Sequence, residues 1–352
     1  MKRQSALRAM LIATCLALPL LACASEDEDL LAIVSRPTPT PADMEGEIPY
    51  EEGPGVVRTP PPTPTPLPSG FDNSGTRPGM LPIQNPRAIG IGRSGDLYVA
   101  SAPSTLVVLS EFGVVKATAS LELLPERFAY LGDTPLYTSG NALVTLDATH
   151  VAKQTVRYSG ASALAFSVLK TSNQSEYRAV AAGAKVTIER NGVADERDFP
   201  EGVAPVSLAL DYMGNVWGVG GKTLAKLKAE PSDDPIVLNV ADLGNLVGVV
   251  IENVTGNTSL WVLGTTGLAC YDSAGNRQGG KIVVSGGDRL FVKSGNPVVV
   301  KDSAGEICRF KADGTPEPIV KLEGGIAGAA MDAQGNLWVS SLAEGRILHT
   351  RF

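Results

Sequence analysis

Every tryptophan of this chain falls on one grid. Trp217, Trp261 and Trp338 share a register that Tyr98 and Tyr137 continue toward the N-terminus, and Ala179 and Val298 fill it in two degenerate copies. The steps between these seven anchors are 39, 42, 38, 44, 37 and 40 residues, a mean of 40. A fixed period of this size belongs to repeat architectures, in which each unit is a supersecondary element that cannot bury its own faces and must stack on its neighbours.

The clearest unit runs from Met331 to Ser340, Met-Asp-Ala-Gln-Gly-Asn-Leu-Trp-Val-Ser. Apolar residues lead in, Gly335-Asn336 breaks the run, and Leu337, Trp338 and Val339 resume it. Gly-Asn and Gly-Asp pairs serve such turns because both residues tolerate positive φ. Gly95-Asp96, Gly214-Asn215 and Gly295-Asn296 hold the same place, Gly132-Asp133 and Gly256-Asn257 sit two residues earlier, and the third copy carries Asn173-Gln174. A further strand follows each anchor, as at Thr105 to Leu109 and Ala142 to Leu146, and most copies then meet another turn.

Four short strands per unit, with little helical periodicity, predict an all-β propeller over residues 78 to 352. Blades are expected at 86–124, 125–160, 161–202, 203–244, 245–286, 287–325 and 326–352. That makes seven, or six if the weak third copy merges with a neighbour. A β-sandwich would account for the strands but leave the spacing to coincidence. The first strand of each unit is rich in small residues, such as Leu208-Ala209-Leu210 and Gly328-Ala329-Ala330, which suits a crowded axis. The last copy stops after its third strand. Met80 to Gln84, just ahead of blade one, is placed to supply the fourth and close the ring.

Asp332-Ala-Gln-Gly-Asn-Leu-Trp-Val and Asp211-Tyr-Met-Gly-Asn-Val-Trp-Gly resemble the repeats of NHL-type propellers, which are shared in outline with gluconolactonase-like and virginiamycin-lyase-like propellers. The matching residues are turn and core positions, so the resemblance implies a fold more than an activity. Gluconolactonase-like members bind a divalent metal through a Glu in a Glu-Gly-Pro context. The corresponding place here reads Asn85-Pro86-Arg87-Ala88, without a carboxylate. Virginiamycin-lyase-like members use a His near the axis, and no matching His occurs.

The N-terminus reads as a targeting segment. Lys2, Arg3 and Arg8 precede the apolar run Met10 to Leu21, which is too short to span a bilayer. Its end, Leu20-Leu21-Ala22-Cys23, resembles the lipobox of bacterial lipoproteins. The resemblance implies cleavage after residue 22, lipid on Cys23, and a bacterial cell-envelope location anchored to a membrane. Residues 23 to 77 then read as a disordered tether, acidic at Glu26-Asp27-Glu28-Asp29 and Pro/Thr-rich at 37–41 and 60–66. Such tracts cannot build a core and favour extended polyproline II.

The formal net charge is −7, and residues 23 to 70 carry nine acids against two arginines. Removing the basic leader and that tether leaves the propeller only mildly acidic. Nucleic acid is excluded as a partner, because no basic footprint exists. Of four cysteines, Cys15 leaves with the leader and Cys23 takes lipid. Cys270 and Cys308 hold one register in neighbouring blades. Face-packed sheets lie about 10 Å apart, beyond the reach of a disulfide, so both are expected to be buried thiols without a bridge. The two histidines, His150 and His349, stand alone, and no Gly-x-Ser-x-Gly elbow or phosphate-binding loop is present.

No catalytic residue is therefore assigned. The candidate ligand-binding rim lies on the loops that join blades and those between second and third strands: Arg87, Arg127, Glu201, Lys222, Asp242, Asp288, Asp302 and Glu344. By contrast Asp211 and Asp332 precede the first turn, on the opposite rim, where turn capping accounts for them. No cofactor is required, although two or more rim carboxylates are chemically able to hold a hard divalent cation. The expected function is a membrane-anchored, non-catalytic binding or scaffold module for an envelope protein or glycan. The alternative is a metal-dependent hydrolase or lyase of the lactonase type.

Overall fold

A computed structural model describes residues 83 to 350, apart from 84, 93, 232, 255, 256, 342 and 344. The chain divides into two units, Met1–Thr63 and Pro64–Phe352, and all described residues belong to the second. Cys23, the tether and Glu344 lie outside the described residues.

The described residues form seven antiparallel sheets, each a simple meander. Six have four strands and the last has three among the described residues. Their first strands are Pro86–Ile91, Arg127–Leu131, Ala165–Lys170, Ser207–Leu210, Leu246–Val254, Arg289–Lys293 and Ile326–Met331. One short 3-10 turn, Ala241–Leu243, is the only helical element among the described residues. The fold is a seven-bladed β-propeller, and the third copy is a full blade, so the six-bladed alternative is set aside.

All seven anchors lie on the second strand of their blade, and their partners on the first strand show how the packing is balanced. Tyr98 faces Gly90, Trp217 faces Ala209 and Trp338 faces Ala330, a large side chain against a small one. In blade six the sizes are exchanged, with Val298 facing Phe291. In blade three Ala179 faces Ser167, and the aromatic has moved two residues back along the same face, to buried Tyr177. The same blade meets its first turn with Gln174 at φ 66°, a conformation that Gly95, Gly132, Gly214, Gly295 and Gly335 take in five other copies. Both degenerate copies thus keep the volume while changing the residue that supplies it.

The apolar core falls into seven clusters, each drawn from two adjacent blades. Trp217, fully buried, joins Leu224 and Leu243 of its own blade to Leu246 and Leu260 of the next. A blade alone therefore has no core, and the free energy of burial, about 1.5–3 kcal/mol for each large side chain, is gained at the interfaces. The seventh cluster closes the ring: Ile89, Leu97 and Val99 of blade one pack with Ala330, Trp338 and Ile347 of blade seven. The innermost strands meet there so closely that a Cβ on Gly328 would stand 2.9 Å from Ala88 Cα and 2.9 Å from the Ile89 nitrogen.

Of the expected closing strand, Met80 to Gln84, only Ile83 is described. Its N–H donates to the Gly345 carbonyl at 2.9 Å, and its side chain is buried in the seventh cluster.

Candidate functional site

The turns between first and second strands sit at one end of the ring, and the loops between blades at the other. At the first end Asp211 behaves as a cap. Its carboxylate accepts the Met213 and Asn215 backbone N–H groups at 3.0 Å and the Asn215 side-chain amide at 2.8 Å. Asp332 repeats this with Gln334 and Asn336 at 3.0 and 2.8 Å. A cavity of about 620 Å³ opens at this end, lined by Ser94, Tyr130, Lys170, Gln174 and Asp332 among others. Two of its three charged groups are already used, since Lys170 donates to Glu176 at 2.9 Å and Asp332 holds its turn, while exposed Glu111 lines it as well.

The opposite end carries the predicted rim. Arg127 opens the first strand of blade two and Asp288 precedes that of blade six, and both line a cavity of about 180 Å³ at the axis. Arg87, Glu201, Lys222 and Asp242 are exposed but stand outside that cavity. Asp302 reaches it through Arg289, which also lines it. The Arg289 guanidinium donates to the Asp302 carboxylate from Nε at 3.0 Å and from Nη2 at 2.9 Å. The same Nη2 donates to the Ala327 carbonyl at 3.0 Å, fastening blade six to blade seven. Asp288 accepts the Asp302 backbone N–H at 2.7 Å. Asp242 pairs with Arg277 at 2.7 Å.

Among the described residues no group of three or more His, Cys, Asp or Glu side chains is placed to hold a metal ion. Of the candidate rim carboxylates, Asp242 and Asp302 are paired with arginines and Asp288 accepts a backbone N–H, so these three are engaged by the protein itself. The histidines lie elsewhere. His349 is buried and stacked on Trp338 with ring centroids 4.3 Å apart, and His150 packs edge-on to Tyr98 at 5.5 Å in a turn of blade two. Cys308 is buried and Cys270 half-buried in one cluster, both as free thiols whose pKa burial raises.

Arg127 differs from its neighbours. Measured from the anchor, its register holds Ile89, Phe166, Leu208, Val249, Leu290 and Ala329 in the other six blades. It is the charged member of an otherwise apolar ring. Its side chain is solvent-accessible yet surrounded by protein, and that desolvation, with Arg289 second, lowers its pKa; Glu126 and Asp302 pull weakly the other way. No described residue accepts a hydrogen bond from it. Glu126, one residue away, is turned to the Gly140 backbone N–H at 3.2 Å.

Arg289, Ser207, Phe128 and Phe291 also line this cavity and were not picked out from sequence. A register count would have found two of them. Arg289 and Ser207 both stand two residues before the anchor's partner, where four other blades carry Ala88, Ala165, Gly248 and Gly328 and blade two carries Glu126.

No protein-family model matches this chain, and no curated protein matches it in sequence. Solved structures resemble it in fold. A catalytically inactive histidine-to-alanine variant of virginiamycin B lyase from Staphylococcus aureus, with quinupristin, has a TM-score of 0.61 at 13% identity, over 78% of this chain and 98% of that one. The Pan2 WD40 domain of Neurospora crassa has a TM-score of 0.57 at 9% identity, over 76% of this chain and 89% of that one. BBS1N in complex with ARL6DN has a TM-score of 0.58 at 11% identity, over 78% of this chain and 94% of that one. At these identities the likeness is one of fold. The class is that of seven-bladed β-propellers, and the structures that share this fold include a lyase and a domain in complex with a partner.

Proposed function

We propose that this chain is a lipid-anchored binding module of a bacterial cell envelope, non-catalytic, holding an envelope protein or glycan at the axial mouth near Arg127. The lipobox-like Leu20-Leu21-Ala22-Cys23 and the Pro/Thr-rich tether support export and anchoring. The observation that carries the binding role is the state of the mouth. Its carboxylates are spent on structural bonds, while Arg127, one of the two arginines lining it, bonds no described residue. Acids fixed in this way are poor proton carriers, and no imidazole faces them.

Two measurements test this reading. The intact mass of the purified protein should correspond to a chain starting at Cys23 with acyl groups added; an unacylated start elsewhere would remove the anchor. A photoreactive residue at Ser207 should yield one discrete cross-linked adduct in native envelopes, whereas the same residue at Gln334, on the opposite end, should not. Equal labelling from both ends, or none from Ser207, would refute a binding mouth. The lactonase-type alternative requires tight Ca²⁺ or Zn²⁺ binding that is lost in Asp288→Ala.

A further inference from the structure

We infer that the axial mouth accepts one carboxylate side chain of a partner protein, with the Arg127 guanidinium as its anchor. This deepens the binding role proposed above and rests on it.

Three observations carry the assignment. First, the fold does not need a cation there. Six of seven blades place an apolar residue at the Arg127 register and close the ring without one. Arg127 shares its cavity with Ile89, Phe128 and Leu290 and with a second arginine, and Glu126 and Asp302 offset that setting only in part. An anion would compensate it. Second, the neighbouring groups fix what kind of anion. Arg289 is committed to Asp302 and Ala327, which leaves one free fork of donors. Such a fork matches a carboxylate bidentately. The Asp288 and Glu126 carboxylates nearby disfavour a second negative charge, and so disfavour phosphate. Ser207 adds a donor: its Oγ accepts the Val249 N–H at 3.3 Å, and its own O–H remains.

Third, size and lining select the carrier. Small-molecule sites usually enclose about 300–1,000 Å³. The mouth holds about 180 Å³, which suits a single side chain inserted from outside. Phe128, Phe291 and Leu290 would flank its methylene stem, whereas the hydroxyls of a uronic sugar ring would face those same apolar walls. A glutamate side chain on a protruding loop satisfies both ends.

The test uses the full chain and arginine-selective labelling. Phenylglyoxal modification of Arg127, read by peptide mass spectrometry, should be slowed about tenfold by a capped Gly-Glu-Gly tripeptide at millimolar concentration, a factor equivalent to about 1.4 kcal/mol. The Gly-Gln-Gly control should not protect, and Arg289, held by Asp302, should change little. Equal protection by the glutamine peptide, or stronger protection by glucuronate or inorganic phosphate, would overturn the carboxylate assignment. So would an Arg127 rate that no peptide changes. Arg127→Leu installs the residue of blades four and six, so its melting temperature should stay near wild type, and its cross-linking from Ser207 should fall. Undiminished cross-linking in that variant would sink the carboxylate anchor and leave the binding module standing. Protection by glutamate with no adduct from Ser207 would support the anchor and sink the module.

Discussion

Gly328→Ala probes the closure of the ring. The added methyl would sit 2.9 Å from Ala88 Cα and 2.9 Å from the Ile89 nitrogen, with Ala88 C at 3.1 Å. All three are backbone atoms, so no side chain can swing aside. Relief requires the innermost strands of blades seven and one to separate by several tenths of an ångström. That motion also loosens the cluster of Ile83, Ile89, Leu97, Trp338 and Ile347. Overpacking of this sort costs about 1–3 kcal/mol. Gly280→Ala is the internal control. It lies in the exposed strand Arg277–Ile282, with nothing within 4 Å of its Cβ position and no positive φ. There alanine should be neutral or stabilise by about 0.4–1 kcal/mol through the unfolded chain. Urea unfolding followed by tryptophan fluorescence gives the two midpoints. A Gly328→Ala midpoint equal to wild type, or one raised together with that of Gly280→Ala, would refute a ring closed by direct backbone approach.

Three further outcomes follow from the same contacts. Asp211→Ala removes the acceptor of the Asn215 turn and leaves Lys226, which is stacked 5.0 Å over Trp217, without its nearby carboxylate. Breaking such a buried arrangement costs about 3–5 kcal/mol, so the urea midpoint should fall more than for Gly328→Ala; a smaller loss would show that Lys226 is held by the Ser273 carbonyl alone. Asp147 has its pKa lowered, chiefly by the Thr149 hydroxyl, and Asp313 likewise by the Thr315 backbone N–H. A carboxyl whose folded pKa lies below its unfolded value stabilises above the unfolded value, about 3.9, and loses that stabilisation as pH falls through the folded one. Thr149→Val should therefore flatten the drop in melting temperature below that pH, and an unchanged slope would remove Asp147 from the account. Alkylation by a membrane-permeant maleimide should reach half-buried Cys270 before buried Cys308; the reverse order would contradict their packing.

The repeat was legible because bulk and turn conformation recur where the fold demands them. Trp217, Trp261 and Trp338 must fill inter-blade gaps, and Gly95, Gly214 and Gly335 must reach φ 82°, 82° and 93°. The blade limits drawn from that grid contain every observed sheet. What stayed hidden was compensation between partners. Val298 reads as a missing anchor until its neighbour across the sheet proves to be Phe291, and Ala179 until Tyr177 is seen on the same face. The rim was legible only as a set of loops. Which acids are free depends on pairings across blades, such as Asp302 with Arg289 and Asp242 with Arg277, and no local pattern encodes them.

That distinction locates function in this molecule. The ring is built by interfaces repeated seven times, so a residue that departs from the repeat without serving an interface has no structural reason to stay. Arg289 departs, but it ties blade six to blade seven through the Ala327 carbonyl and so serves the ring. Ser207 departs mildly and bridges blade four to blade five through the Val249 N–H. Arg127 departs most, exchanging an apolar side chain for a cation that desolvation disfavours, and it bonds no described residue. Removing structural explanations one by one thus leaves a single axial side chain whose chemistry faces outward. A propeller without Arg127 should close as well as this one does, and on the proposal above it would lack only its carboxylate anchor.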